Sequence, residues 1–173
     1  MNRIIHTQFI SWLIILWLLG LLGCSGDSPR TPVENFYRLY LKIHPIGLPT
    51  KEQELAMAPY LSKRLLGLID EARSYQETFR RQFPDRKPPW VEGCLFASLF
   101  EGPTQFKISS VIANSDGTST VKVHFWYETF EWEDAVIVRK EVNKFVIDDF
   151  LMSGAGPFNP PGRLSENLKY RGE

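Results

Sequence analysis

The hydrophobic period changes once along this chain, and that change limits the folds open to it. Val33, Phe36, Tyr37, Tyr40 and Leu41 follow the spacing i, i+3, i+4, i+7, i+8, which is one apolar face of a helix. Leu65, Leu66, Ile69, Ala72, Phe79 and Phe83 continue the helical period. After Gly102-Pro103 the period becomes two. Val121, Val123, Phe125 and Tyr127 alternate with Lys122, His124 and Trp126, the pattern of a strand with one buried face. Helices followed by sequential strands predict an α+β domain, with N-terminal helices packed on a curved four-stranded antiparallel sheet.

Local signals divide the two halves. Thr31, Pro32 and Glu34 read as a capping box that starts the first helix, which Pro45 ends. Thr50 and Gln53 form a second box, Ser62 caps a third helix, and Pro84 closes it. Residues 84–94 hold three prolines and a glycine, so they form a loop in which Trp90 is expected to plug the domain. The strands are expected at Phe106 to Ala113, Thr118 to Glu128, Trp132 to Glu141 and Lys144 to Met152, with turns at Asn114–Gly117 and Val142-Asn143. A Gly/Pro-rich tail from Gly154 to Gly162 precedes a short helix from Leu164 to Tyr170. Phe36, Tyr40, Leu65 and Ile69 should pack against Val121, Val123 and Phe125.

The first 23 residues have a different character. Arg3 is followed by an apolar run from Ile10 to Leu22, broken only by Ser11 and Gly20, the pattern of an export signal. The run is short for a membrane span, which needs roughly 20 residues. Leu21-Leu22-Gly23-Cys24 resembles the bacterial lipobox, which implies cleavage before Cys24 and attachment of diacylglycerol and palmitate-type acyl chains to it. Two or more chains anchor stably. Ser25 rather than Asp follows, which in the enterobacterial rule implies the outer membrane, facing the periplasm. The expected organisation is a signal peptide at 1–23, a lipidated cysteine and short tether at 24–30, and a single domain at 31–173.

Charge and cysteine content narrow the function classes. The whole chain has 20 basic and 20 acidic side chains, and loss of Arg3 leaves a net charge of −1. No run of like charge exists, which argues against nucleic-acid binding and against a polybasic membrane patch. With Cys24 lipidated, Cys94 has no disulfide partner, and its apolar neighbours read as burial rather than reactivity. No G-x-S-x-G, Walker loop, G-x-G-x-x-G or H-E-x-x-H occurs. The histidines are too few for a zinc ligand set, and no cofactor is expected.

Several segments together are similar to a family of small bacterial lipoproteins carrying a domain of unknown function. They are Phe36-Tyr37, the step Ala58-Pro59-Tyr60-Leu61-Ser62, the stretch from Phe96 to Thr104, and Val146-Ile147-Asp148-Asp149. The likeness spans nearly all of the mature chain. It implies a nuclear-transport-factor-two-like (cystatin-like) cone, a fold that hosts isomerases, lipid binders and pure interaction modules, and so implies no single activity. An acidic residue is frequent in that family where this chain has Cys94.

The candidate sites follow. Asp148 and Asp149 lie near the end of a predicted strand, and alternation sends their side chains to opposite faces. An inward carboxylate in an apolar cone can act as a general base, whereas the plainer reading is a hydrogen-bonded acid beside a solvated one. His124 is either a general acid–base or a half-exposed strand histidine. Glu128, Glu131, Glu133 and Asp134 match no calcium loop and are expected to form a solvated acidic rim. Trp126, Tyr127, Phe130 and Trp132, interleaved with those acids, suit a protein partner if exposed together and belong to the core if buried. The leading expectation is a non-catalytic envelope lipoprotein, held to the membrane through Cys24, that binds another envelope protein. The alternative is a binder of a lipid or small apolar ligand in a cone-shaped pocket, with isomerase-like chemistry by Asp148 or Asp149.

Overall fold

The computed structural model describes residues 27–154 and 161–171. The expected signal peptide, Cys24 and most of the 154–162 tail lie outside the described residues. Helix α1 spans Arg30–Ile43, α2 Lys51–Met57 with a 3-10 turn at Ala58–Tyr60, and α3 Lys63–Gln82. Strands β1 (Gln105–Ala113), β2 (Ser119–Tyr127), β3 (Phe130–Glu141) and β4 (Lys144–Met152) follow, then β5 (Gly162–Arg163) and the short α4 (Leu164–Asn167). The class is α+β, and the sheet is an open antiparallel meander in the order β1-β2-β3-β4-β5. It has five strands rather than four. The fifth is a two-residue pairing of Gly162 and Arg163 with Met152 and Leu151, too short to leave a periodic trace in the sequence.

Two of the three capping signals act as read. Thr50 and Gln53 close a reciprocal box, with Gln53 N donating to Thr50 Oγ1 at 3.2 Å and Thr50 N donating to Gln53 Oε1 at 2.9 Å. Ser62 Oγ accepts from Leu65 N at 3.0 Å and starts α3. The box at Thr31 does not form. Helix α1 begins two residues earlier, behind Pro29, with no side-chain cap. Glu34 is thereby placed one turn from both Arg30 and Arg38 and pairs with them instead.

The core lies between α1 and one face of the sheet. Tyr37 packs its ring on Phe125 of β2, Phe106 of β1 and Phe150 of β4, so α1 lies across the sheet. Centroids are 4.9 Å apart for Tyr37–Phe125, 5.1 Å for Phe36–Phe150, 5.2 Å for Phe96–Phe150 and 5.4 Å for Phe125–Trp132. These are the offset and edge-on contacts that aromatic rings prefer. Leu65 and Ile69 of α3 join the same core with Val121, Val123 and Val136.

The loop from Trp90 to Pro103 is the third wall of this core. Phe96 is buried, and its carbonyl accepts from Tyr37 Oη at 2.8 Å. Tyr40 Oη donates to Cys94 Sγ at 3.1 Å. Gly47 N donates to Gly93 O, and Leu48 N to Trp90 O, both at 2.8 Å. Gly47 has φ +64, and any Cβ there would collide with the Trp90 carbonyl. Trp90 is buried as expected, and its Nε1 donates to Asn167 Oδ1 at 2.9 Å, tying the loop to α4.

Candidate functional site

Strand β3 carries four consecutive residues, Glu131-Trp132-Glu133-Asp134, whose side chains the pleat divides between two faces. Trp132 and Asp134 pair in register with Phe125 and Val123 and point into the core. Asp134 is therefore not part of a solvated rim. It is 5 % exposed and accepts five hydrogen bonds. They come from Ser98 N (2.8 Å), Ser98 Oγ (2.5 Å), Trp132 Nε1 (3.0 Å), Ser153 N (2.9 Å) and Ser153 Oγ (2.9 Å). Those donors use the acceptor capacity of the carboxylate, so it has none left for a substrate. Its work is to fasten the 90–103 loop and the end of β4 onto β3.

The other two aspartates are occupied as well. A bulge lies on β4, where Ile137 and Val138 of β3 face Asp149 and Ile147, and Asp148 is the extra residue. Asp148 accepts from Ser62 Oγ at 2.7 Å and Arg64 Nε at 3.0 Å, with Arg139 Nη1 4.0 Å away. Burial pushes its pKa up, but the bonds from Arg64 and Ser62 and the charges of Arg64 and Arg139 outweigh that, and it lies below the ordinary carboxylate range. Asp149 is buried and caps α4. It accepts from Ser165 N at 3.0 Å and Ser165 Oγ at 2.7 Å, with Arg163 Nη1 at 3.5 Å. Among the described residues, neither carboxylate lines either of the clefts beside the 90–103 loop. Each ties a helix N-terminus to β4.

Clefts open on the surface instead. One of about 590 Å³ is bounded by Trp90, Leu95, Phe100 and Asn167, and one of about 290 Å³ by Tyr40, His44, Ile46 and Phe100. They share Gly93, Cys94, Phe100 and Glu101. Cys94 is a free, buried thiol whose pKa burial pushes up to about 11, so it is not a nucleophile near neutral pH. His44 ends α1 in the left-handed conformation, as a helix-end residue.

The outer face of β2 and β3 holds a different cluster. His124 and Trp126 meet edge-on with centroids 4.3 Å apart, and Glu131 Oε2 lies 3.1 Å from both His124 Nε2 and Trp126 Nε1. Beside it, Glu133 accepts from Lys122 Nζ at 2.9 Å and Ser109 Oγ at 2.8 Å. Those two bonds hold the Glu133 pKa below its usual value. Glu128 sits at the β2–β3 turn with φ +52. Phe130 follows it and is 46 % exposed. The four aromatic residues of this region thus divide. Trp132 is core, Tyr127 is half-buried against the core, Trp126 is half-buried on the outer face, and Phe130 is exposed at the β2–β3 end on the core side of the sheet.

Sequence reading brought Trp126, Phe130 and His124 to this region but missed the triangle with Glu131. The register that makes it depends on a turn of only Glu128 and Thr129, which starts β3 two residues earlier than expected. Among the described residues no three His, Cys, Asp or Glu side chains gather in a metal-binding arrangement, and no helix is long and apolar enough to cross a membrane. Comparison of the chain with family models, with curated proteins and with solved structures finds no match.

Proposed function

We propose that this chain is an envelope lipoprotein anchored through acyl chains on Cys24, and that its domain is a non-catalytic interaction module for another envelope protein. The observation that carries this reading is the contrast between its interior and its β2–β3 end. Five interlocked rings fill the space under α1, and Asp134, Asp148 and Asp149 are bound by backbone, serine, tryptophan or arginine donors. A pocket binder or an isomerase needs that volume open and one carboxylate free. At the β2–β3 end, exposed Phe130 emerges on the core side of the sheet and half-buried Trp126 on the outer face, with Glu131 and Glu128 beside them, and aromatic contacts edged by charge are of the kind that protein partners use.

The helix-then-meander order, with α1 laid across the sheet, suits the nuclear-transport-factor-two-like cone that the sequence resembles. That family's use in interaction modules supports the same reading. Crosslinking in intact cells tests it. The expected result is one reproducible protein adduct that Phe130→Ala and Trp126→Ala both reduce. Recovery of the chain only as an uncrosslinked monomer contradicts the reading. Palmitate labelling tests the anchor separately, and Cys24→Ser is expected to abolish both the label and membrane retention.

A further inference from the structure

We infer that the tip of the β3–β4 hairpin, led by Val142, is the point at which the domain touches the lipid bilayer. The inference rests on the proposed lipidation of Cys24 and adds an orientation to it. Asp27 is the first described residue, and its Oδ2 accepts a hydrogen bond from Phe145 N at 3.0 Å. This bond pins the end of the tether to the second residue of β4. Two residues, Ser25 and Gly26, lie between Asp27 and Cys24, and the three steps between them reach about 10 Å at full extension. The anchored cysteine is therefore confined to the end of the sheet where β3 turns into β4.

That turn breaks the local rules for a hairpin. Glu141 pairs with Lys144, leaving Val142 and Asn143 as the two turn residues. Turns of this length favour Asn or Gly at positions of positive φ. Val142 has φ +55, which a β-branched residue rarely adopts, and it is 90 % exposed. An exposed, strained valine contributes nothing to the fold that glycine or asparagine would not do better. Its apolar surface has a use if it enters the interfacial layer of a membrane. Lys63, Lys140 and Lys144 lie exposed around it and suit anionic headgroups, with Glu141 as the opposing charge. So small a patch does not bind a bilayer by itself. Its role is to set orientation once the acyl chains have brought the domain down.

The register fixes what faces away. Ser119, at the start of β2, pairs with Val138, so the β1–β2 turn shares the anchored end, whereas the β2–β3 turn lies at the other. Strand β3 runs from Phe130 to Glu141, which at the usual rise is roughly 35–40 Å. Phe130 and Trp126 are thus carried away from the membrane by the length of the sheet.

Depth measurements on the full-length, processed protein in vesicles of phosphatidylethanolamine and phosphatidylglycerol test this. Nitroxide or bimane is attached at Val142→Cys or Thr129→Cys, both exposed sites, while buried Cys94 is spared under native labelling. Lipid-borne quenchers are expected to act several-fold more strongly at position 142 than at position 129, and water-soluble quenchers in the reverse order. Equal accessibility at both sites in vesicle-bound, palmitate-labelled protein overturns the orientation and leaves the anchor standing. Protein that carries no acyl label overturns both. Val142→Asp gives a second arm. It should keep the protein on the vesicles through Cys24 while lowering lipid quenching of a probe at Asn143→Cys, and unchanged quenching contradicts the contact.

Discussion

On β3, Asp134 and Glu133 are neighbours in the chain and opposites in the fold. Asp134 lies under the sheet with five donors on one carboxylate. Glu133 lies on the outer face, where Lys122 and Ser109 meet it in reach of solvent. One residue of register separates a group that holds three segments together from one that decorates a surface. The lesson extends to the aromatics. Trp132 has its Nε1 bound and its ring packed on Phe125, whereas Trp126 shares an exposed acid with a histidine. The inner face is the scaffold, and the outer face and β2–β3 end are where another molecule can act.

Substitutions sharpen that comparison. Asp134→Ala leaves buried donors from Ser98, Ser153 and Trp132 without an acceptor, and we expect a loss of about 3–5 kcal/mol in urea unfolding. Glu133→Ala should change stability by no more than about 0.5 kcal/mol, as surface ion pairs do. Similar losses for the two would break the contrast. Val142→Gly, at the other end of the sheet, should raise stability by about 1 kcal/mol by relieving the left-handed valine. Phe130→Ala should cost under about 1 kcal/mol while reducing partner capture tenfold or more.

Titration supplies two smaller effects. The folded-state pKa of Asp148 lies below its unfolded value, so its bonds to Arg64 and Ser62 add stability above the unfolded pKa of about 4 and lose it as pH falls through the folded value. Asp148→Asn should therefore lower the unfolding midpoint at pH 7, with the difference from the parent closing by pH 2. Cys94 behaves in the opposite sense. Its raised pKa favours the folded state below the unfolded thiol pKa of about 8.5, and that contribution is lost as pH rises through about 11. Iodoacetamide at pH 8 should modify it slowly in the native protein and rapidly in urea.

Much of this scaffold was legible in the sequence, for local reasons. The box at Thr50 and the cap at Ser62 act within three residues, and the row Val121-Val123-Phe125 carries its own face. Asp134 was misread although a sign was present. It lies two residues from Trp132 and two from Val136, inside an apolar row. Its donors are Ser98, 36 positions upstream, and Ser153, 19 downstream, and no local pattern links them. The bulge at Asp148 was hidden for a related reason. The adjacent apolar pair Val146-Ile147 fits either register, and only the pairing with β3 shows where alternation slips. The outer cluster needed the length of the β2–β3 turn, which one residue of error would have reversed.

The central claim is that this domain acts through its β2–β3 end and not through its interior. A photo-reactive amino acid placed singly at Phe130, at Trp126, at Phe100 beside the clefts, and at Arg139 on the outer face near the anchor tests it in intact cells. The account predicts one discrete protein adduct from positions 130 and 126 and none from 100 or 139. Adducts from Phe100 alone, with positions 126 and 130 silent, would contradict it.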